Sequence, residues 1–153
     1  MMTTKELQLL AEQNRKRLVE VVYRAKAGHI GGDLSCLNVL TALYFHTMRG
    51  LDLNDDAPLR GGREGLPGRD RFVLSKGHCV EALYVTLEAK GYLKPQVLDT
   101  LGQFGSPLSG HPTIEVPGIE VNSGALGHGL PIGVGMAIAA KMDRQTWHTF
   151  VLM

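Results

Sequence analysis

Apolar residues recur at helical spacing through the first part of the chain. Between residues 3 and 27 they stand three and four positions apart, as an amphipathic helix requires: Leu7, Leu10, Ala11, Leu18, Val21, Val22 and Ala25. Thr3 and Glu6 have the spacing of a capping box, and Gly28 stands where a helix-ending glycine is common. The pattern therefore predicts one long helix.

A second helix is predicted between Ser35, which can serve as its N-cap, and Gly50, which would end it. Its residues are apolar on nearly all sides, so we expect it to be buried in a core or an interface. His46 lies on this helix and is expected to be a packed or interfacial side chain.

The rest of the chain alternates short apolar runs with helices and glycine-rich loops. The predicted elements are a solvated loop (51–69), a buried strand (70–75), a helix (79–90) ended by Gly91, a short helix from Pro95 to about Leu101, a loop (102–125), a glycine-rich helix (129–142) and the start of a second buried strand (148–153). Strands that alternate with helices favour an α/β fold with a parallel sheet. Residues 1–153 are then one domain that is incomplete at its C-terminal end.

Composition and charge exclude several classes of protein. The 153 residues are 44% hydrophobic and carry a net charge of +1, which gives no basic surface for a nucleic acid or a membrane. No apolar stretch reaches the roughly 18 residues of a membrane span, and no apolar leader opens the chain. Cys36 and Cys79 are expected to be buried thiols. We therefore expect a soluble, cytoplasmic protein.

Glycine is abundant, and its placement beside histidine is informative. The chain has 19 glycines, and four of its six histidines directly follow one: His29, His78, His111 and His128. These pairs stand at predicted junctions between elements, where glycine lets a backbone or an imidazole approach a ligand closely. Imidazole titrates near neutral pH and suits proton transfer. His148, at the start of a strand, is likewise expected to be a packed or interfacial residue.

Two other binding chemistries have weak support in the sequence. The histidines are too far apart along the chain for a zinc motif, and no C-x-x-C pair is present, so no metal ligand is predicted. Neither a G-x-G-x-x-G fingerprint nor a P-loop follows a strand, so dinucleotide binding is unsupported.

Four segments taken together resemble a known family. They are AGHIGGD at 27–33, DRFVLSKGH at 70–78, SGHP at 109–112 and NSGALGHG at 122–129. Their order and spacing resemble the start of transketolases, especially the separately encoded N-terminal subunits. The resemblance covers essentially the whole chain and implies part of a thiamine-diphosphate-binding fold, the pyrophosphate domain, with parallel strands flanked by helices.

The resemblance also implies an activity. It is the transfer of a two-carbon ketol unit between sugar phosphates, as in the pentose phosphate pathway of carbohydrate metabolism. In such an enzyme His29 and His111 would be catalytic residues that contact the substrate and move protons.

The implied cofactor is thiamine diphosphate with a magnesium ion. By the same resemblance His78 would bind the cofactor's diphosphate and thiazolium, and its aminopyrimidine ring would lie on the backbone of Gly124, Ala125 and Leu126. The family's magnesium ligands follow a strand like 149–153 and would lie beyond the end of this chain. We therefore expect the chain to be inactive alone, to need a C-terminal transketolase subunit or domain, and to form a homo-oligomer such as a dimer.

Two departures from the family pattern and two alternatives remain open. Ile30 stands where many members have proline, and Asp33 replaces a small residue, which would add a negative charge next to His29. This charge would either alter the sugar accepted or reflect a gene that is losing its function. The chain could instead be a non-catalytic remnant that keeps an interaction surface. It could also belong to another thiamine-diphosphate enzyme, of the deoxyxylulose-phosphate-synthase or phosphoketolase kind.

Overall fold

A computed structural model describes residues 2–50 and 68–153 of the chain. Its elements are α1 (Thr4–Ala25), α2 (Ile30–Ala42), a π-helical turn (Leu43–Thr47) that continues α2, β1 (Arg71–Leu74), a 3₁₀ turn (Gly77–Cys79), α3 (Val80–Lys90), α4 (Pro95–Leu98), α5 (Gly129–Met142) and β2 (Thr149–Leu152). Within the described ranges no helix is long and apolar enough to cross a bilayer.

The chain divides into two compact units. The helical unit comprises Met1–Thr47 and His78–Gly110, and the sheet unit comprises Met48–Gly77 and His111–Met153. The chain thus passes between the units within two of its Gly-His pairs, Gly77-His78 and Gly110-His111.

The helical unit has a core of leucine side chains. α1 packs on α2 and α3, and α2 packs on α3. The side chains at the centre are almost completely buried: Leu18, Leu37, Leu40, Leu83 and Leu87. At the rim, the Arg17 guanidinium on α1 makes a forked hydrogen bond to the Glu88 carboxylate on α3, with N–O distances of 2.7 to 3.1 Å. The apolar periodicity of the sequence therefore gives a three-helix cluster with its own interior.

The sheet unit contains the two strands and α5. β1 and β2 pair in parallel, with Phe72 opposite Phe150, and α5 packs on both strands. Asp70, almost fully buried, joins the beginnings of the strands because its carboxylate accepts the backbone N–H of Arg49 at 2.9 Å and that of His148 at 2.7 Å. The predicted α/β fold with parallel strands flanked by helices is confirmed.

The helix predictions differ in accuracy. The helix at 129–142 has the predicted bounds, the one at 79–90 begins as a 3₁₀ turn, and the short helix from Pro95 ends at Leu98. The capping box of Thr3 and Glu6 is present, but the left-handed residue that ends α1 is Lys26 (φ 54°), two positions before Gly28.

The predicted start of the second helix was wrong. α2 begins at Ile30, directly after His29, and Ser35 lies inside it, with its hydroxyl donating to the Gly32 carbonyl at 2.6 Å. A Cβ on Gly32 would lie 2.7 Å from the Cys79 Sγ, so α2 can pack closely against the turn that holds Cys79 only where glycine stands. This tertiary packing outweighs the low helix propensity of two consecutive glycines.

Several burial predictions need correction. His46 and His148 are exposed, which leaves the interfacial alternative open for both, and β2 is half-buried throughout, although a fully buried strand was expected. Residues 51–67 of the predicted loop lie outside the described residues. Arg69, expected in that solvated loop, is buried and pairs with Glu120 at 2.5 Å. Cys36 and Cys79 are both buried, as predicted.

Candidate functional site

Two of the Gly-His histidines lie together in the helical unit. The ring centroids of His29 and His78 are 5.5 Å apart, and the rings meet edge to face at 64°. His29 is exposed and immediately precedes α2, and His78 is half-buried in the 3₁₀ turn before α3. The fold thus brings together two predicted site residues that are far apart in the sequence, and both remain accessible to a small molecule.

Gly32 is the residue that permits this approach. Besides its contact with Cys79, a Cβ at Gly32 would lie 3.7 Å from Cδ2 of the His78 ring. The contact with the imidazole would be of ordinary van der Waals length, whereas the contact with the Cys79 Sγ would displace the turn that carries His78. The second glycine of the IGG sequence is therefore required for α2 to pack against that turn.

Asp33 does not have the position expected from the sequence. Its side chain is completely buried and does not add a charge to an open site, and its Oδ1 accepts the backbone N–H of Ala82 at 3.0 Å in the first turn of α3. That amide is one of the helix-end donors that need an acceptor, and Cys79, the N-cap of α3, makes no capping hydrogen bond with its side chain. Asp33 therefore caps α3 from a neighbouring helix.

Glu81 is a functional candidate that the sequence analysis missed. It is buried beside Asp33, and its carboxyl group accepts the backbone N–H of His29. Burial raises the pKa of Glu81 to about 7, and the charge and hydrogen bond of Asp33 act in the same direction. The signal in the sequence was an isolated acidic residue within the apolar run from Cys79 to Leu87.

The sheet unit holds the other predicted site residues. A Cβ on Gly124 would lie 3.1 Å from Cδ2 of His111, so the imidazole lies directly against this glycine. His111, Ala125 and Leu126 are exposed. The structure thus places His111 against Gly124, the first residue of the 124–126 segment.

The end of β1 fixes the segment that leads to Gly124. The Ser123 hydroxyl donates to the Leu74 carbonyl at 2.7 Å, and a Cβ on Gly77 would lie 2.9 Å from the Ser123 carbonyl oxygen. α5 begins at the same place, since a Cβ on Gly129 would lie 2.5 Å from the Ser75 Cβ. The sheet unit therefore presents His111 and a short stretch of open backbone at the carboxyl end of β1, where α/β sheets bind ligands.

These residues fit the cofactor that the resemblance implies. A flat ring can lie on the backbone of Gly124, Ala125 and Leu126 because the first has no side chain and those of the other two are exposed. Across residues 2–50 and 68–153, no three His, Cys, Asp or Glu side chains are placed to hold a metal ion.

Comparison with known proteins identifies relatives over almost the whole chain. The family profile "Transketolase, thiamine diphosphate binding domain" matches residues 7–149. An apulose-4-phosphate transketolase subunit of Phocaeicola vulgatus is 68% identical over 152 residues, which cover 99% of this chain and 51% of that protein. The 6-deoxy-6-sulfo-D-fructose transketolase subunit SqwG of a Clostridium species is 42% identical over 139 residues, or 90% of this chain and 47% of that protein.

Solved structures show the same similarity in fold. The transketolase of Leishmania mexicana superposes with a TM-score of 0.78 at 29% identity, over 99% of this chain and 23% of that one. The chain spans about half the length of the two curated relatives. It belongs to the transketolase family and has part of the α/β fold of that family's thiamine diphosphate binding domain.

Proposed function

We propose that this protein contributes the first part of the active site of a thiamine-diphosphate-dependent transketolase, which transfers a two-carbon ketol unit between sugar phosphates. The observation that carries the proposal is the accessible pair of His29 and His78, 5.5 Å apart, in a chain 68% identical to one subunit of a transketolase. The proposed domain is residues 1–153, an incomplete pyrophosphate domain.

The proposed cofactor contacts are those that the family resemblance implies. His78 would bind the diphosphate side of thiamine diphosphate, and the backbone of Gly124, Ala125 and Leu126 would hold the aminopyrimidine. Bound thiamine diphosphate supplies the electron sink for cleavage of a carbon–carbon bond. Magnesium is part of the proposal, with ligands from outside this chain.

His29 and His111 would move the protons of the substrate. A neutral imidazole can accept the proton of a hydroxyl group as the neighbouring carbon–carbon bond breaks, and it can return the proton in the reverse direction. His29 is suited to this because its main chain is fixed by the Glu81 carboxyl group while its ring stays exposed. His111 is fixed by its contact with Gly124.

Substrate class and partners follow from the relatives' names. Those names refer to apulose-4-phosphate and to 6-deoxy-6-sulfo-D-fructose, and each belongs to one subunit of a transketolase. We accordingly propose sugar phosphates as substrates, a C-terminal transketolase subunit or domain as partner, and a homo-oligomeric assembly such as a dimer. The enzyme would act in the cytoplasm, in sugar-phosphate conversion of the pentose phosphate type.

Calorimetry and kinetics with a C-terminal partner test this proposal. The chain is titrated with thiamine diphosphate and magnesium, alone and joined to the part of the Phocaeicola vulgatus subunit that it does not cover, together with a C-terminal transketolase subunit, and ketol transfer is then assayed. We expect turnover only in the completed assembly. His29→Ala and His111→Ala should each lower kcat by about 10²- to 10⁴-fold, the usual contribution of a proton-transfer group, with little change in cofactor affinity.

His46→Ala is the matched control, because this exposed histidine lies on the π-helical turn and has no proposed role. Unchanged turnover in the His29→Ala enzyme would contradict the role given to that residue. Turnover by the chain without a partner would contradict the need for one.

A second candidate, a non-catalytic interaction fragment, is favoured by one observation. α5 exposes a row of apolar side chains, with Val134 50%, Ile138 54% and Met142 78% exposed. Stable binding to the C-terminal subunit with no thiamine diphosphate uptake and no turnover would favour this function.

A further inference from the structure

Two buried carboxyl groups lie directly behind His29 in the helical unit. Asp33 is in the first turn of α2 and Glu81 in the first turn of α3, both are almost completely buried, and their carboxyl groups lie close enough to interact. We propose that Asp33 and Glu81 share one proton and act as a positioning pair that holds His29 against His78. This inference rests on the proposed function of His29 and adds two residues to it.

Asp33 connects the main chain of His29 to α3. Its backbone N–H donates to the His29 carbonyl oxygen at 3.0 Å, and its Oδ1 accepts the Ala82 N–H at 3.0 Å. Ala82 lies four residues after His78, at the beginning of the helix that the His78 turn leads into. One residue therefore ties the backbone on the His29 side to the helix on the His78 side.

Glu81 holds the other side of the His29 residue. Its carboxyl group accepts the His29 backbone N–H, so that both the N–H and the C=O of His29 have partners from this pair. The His29 side chain makes no capping hydrogen bond to α2. The direction of the imidazole thus depends on a main chain that Asp33 and Glu81 fix.

The surroundings favour one proton on the pair. Two adjacent buried carboxyl groups do not both ionise easily, because each charge lacks solvent and repels the other. Besides the two carboxyl groups themselves, the titratable side chain that interacts with Glu81 is Tyr84, further along α3, and the His29 residue meets Glu81 through its backbone N–H. On the α1 side the contact near Gly28 is the apolar side chain of Val22. The pKa of Glu81, about 7, agrees with a shared proton at neutral pH.

The shared proton explains how Glu81 can serve two partners. A protonated carboxyl group donates its O–H to Asp33 and still accepts the His29 N–H through its second oxygen. A glutamine amide has the same capacity, since its NH₂ donates and its oxygen accepts. Leucine has neither. Glu81→Gln should therefore keep the arrangement, and Glu81→Leu should lose it.

The first test is a carbon NMR titration of the unmodified protein. The side-chain carboxyl carbons of Asp33 and Glu81 are followed from pH 3 to 9. We expect a coupled pair, with one titration step near pH 7 seen at both carbons. Two independent steps below pH 5 would overturn the proposal, and this test does not depend on any variant.

The second test follows the imidazoles in variants. The ring-to-ring NOE between His29 and His78 is measured in the unmodified protein, Glu81→Gln, Glu81→Leu and the matched control Glu88→Gln, which removes a carboxylate from the same helix at the Arg17 ion pair. We expect the NOE to persist in Glu81→Gln and in the control and to be lost in Glu81→Leu. An unchanged NOE in a folded Glu81→Leu protein would overturn the inference.

Kinetics with the C-terminal partner separate this inference from the proposed function. Glu81→Leu should lower kcat by about tenfold or more with unchanged thiamine diphosphate affinity, and Glu81→Gln should restore most of it. A kcat for Glu81→Gln as low as that for Glu81→Leu would overturn the proposal. If the unmodified complex has no turnover, the proposed function fails, whereas the positioning pair is still judged by the two NMR measurements.

Discussion

The helical unit and the sheet unit differ in how completely their apolar side chains are buried. In the helical unit the apolar side chains between the three packed helices are almost fully buried, among them Leu18, Leu40 and Leu83, although Leu9 and Tyr23 on the outer side of α1 are exposed. In the sheet unit β1 is buried, but β2 is half-buried and α5 turns apolar side chains such as Ile138 outward. Helices of similarly apolar composition therefore end in different environments, because burial depends on the elements available to cover them.

The difference has consequences for stability. A buried leucine contributes its full transfer free energy and its packing contacts, whereas an exposed isoleucine contributes little of either. The helical unit should therefore be sensitive to truncation of its apolar side chains, and the outer face of α5 should be tolerant. Variants in the two units test this contrast directly.

The largest expected effect is truncation in the helical core. Leu83→Ala should lower the free energy of unfolding by about 2 to 5 kcal/mol, because it leaves a cavity among α1, α2 and α3. Ile138→Ala on α5 should change it by no more than about 0.5 kcal/mol. Urea denaturation followed by circular dichroism at 222 nm measures both. Comparable losses in the two variants would show that the exposed face of α5 is covered in solution.

The next largest effect is that of pH on the free energy of unfolding. This free energy should change with pH in opposite directions in the two units. Burial and then Asp33 raise the pKa of Glu81 from 4.5 to about 7, so the folded helical unit binds this proton more tightly than the unfolded chain does. Stability should therefore fall as pH rises from 4.5 to above 7, by about 3 kcal/mol in total. The Glu81→Gln variant should lack this decrease.

Asp70 gives the stability of the sheet unit a pH dependence of the opposite sign. Burial alone would raise its pKa, but hydrogen bonds from the Arg49 guanidinium and from the N–H groups of His148 and Arg49 outweigh burial and lower the pKa below 3.8. Its stabilising contribution is present above pH 3.8 and is lost as pH falls below that value.

The single tryptophan separates the two responses. Trp147 lies beside β2 and stacks with the Arg71 guanidinium at 4.9 Å, so its fluorescence reports the sheet unit. The 222 nm signal comes mainly from the longer helices of the helical unit. We expect the dichroism signal to report the loss of stability that accompanies rising pH. The fluorescence should report the loss of stability at acid pH. Coincident changes at both probes in every buffer would show that the units unfold as one.

The sequence predicted the secondary structure well where local rules decide it. The bounds of α5, the Gly91 end of α3 and the capping box of Thr3 all follow from propensity and capping residues. The start of α2 does not follow from such residues, because only the close approach of Gly32 to Cys79 makes a helix of that glycine-rich segment. A contact between residues so far apart in the chain leaves no local signal.

The sequence also predicted only part of the candidate site. The family resemblance identified His29, His78, His111 and Gly124, and the structure places the first two together and the last two together. The roles given to these residues stay predictions. Asp33 was expected in the open site. It is buried instead, because its carboxylate accepts a hydrogen bond from a backbone N–H at the N-terminus of α3. No rule of spacing links Asp33 to Ala82.

The smallest expected effects come from two glycines of α5 and sharpen the contrast between its inner and outer faces. A Cβ on Gly133 would overlap the Val151 side chain of β2, while a Cβ on Gly135 meets nothing within 4 Å. Gly133→Ala should therefore lower the free energy of unfolding by about 1 to 3 kcal/mol through overpacking. Gly135→Ala should raise it by up to about 1 kcal/mol, because alanine is the better helix former.

The two variants share the same helix and the same chemical change, so each is the control for the other in urea denaturation. A stabilised Gly135→Ala protein would show that the outer face of α5 is open in solution. A destabilised one would show that another surface packs against that face, which would remove the contrast between the two units.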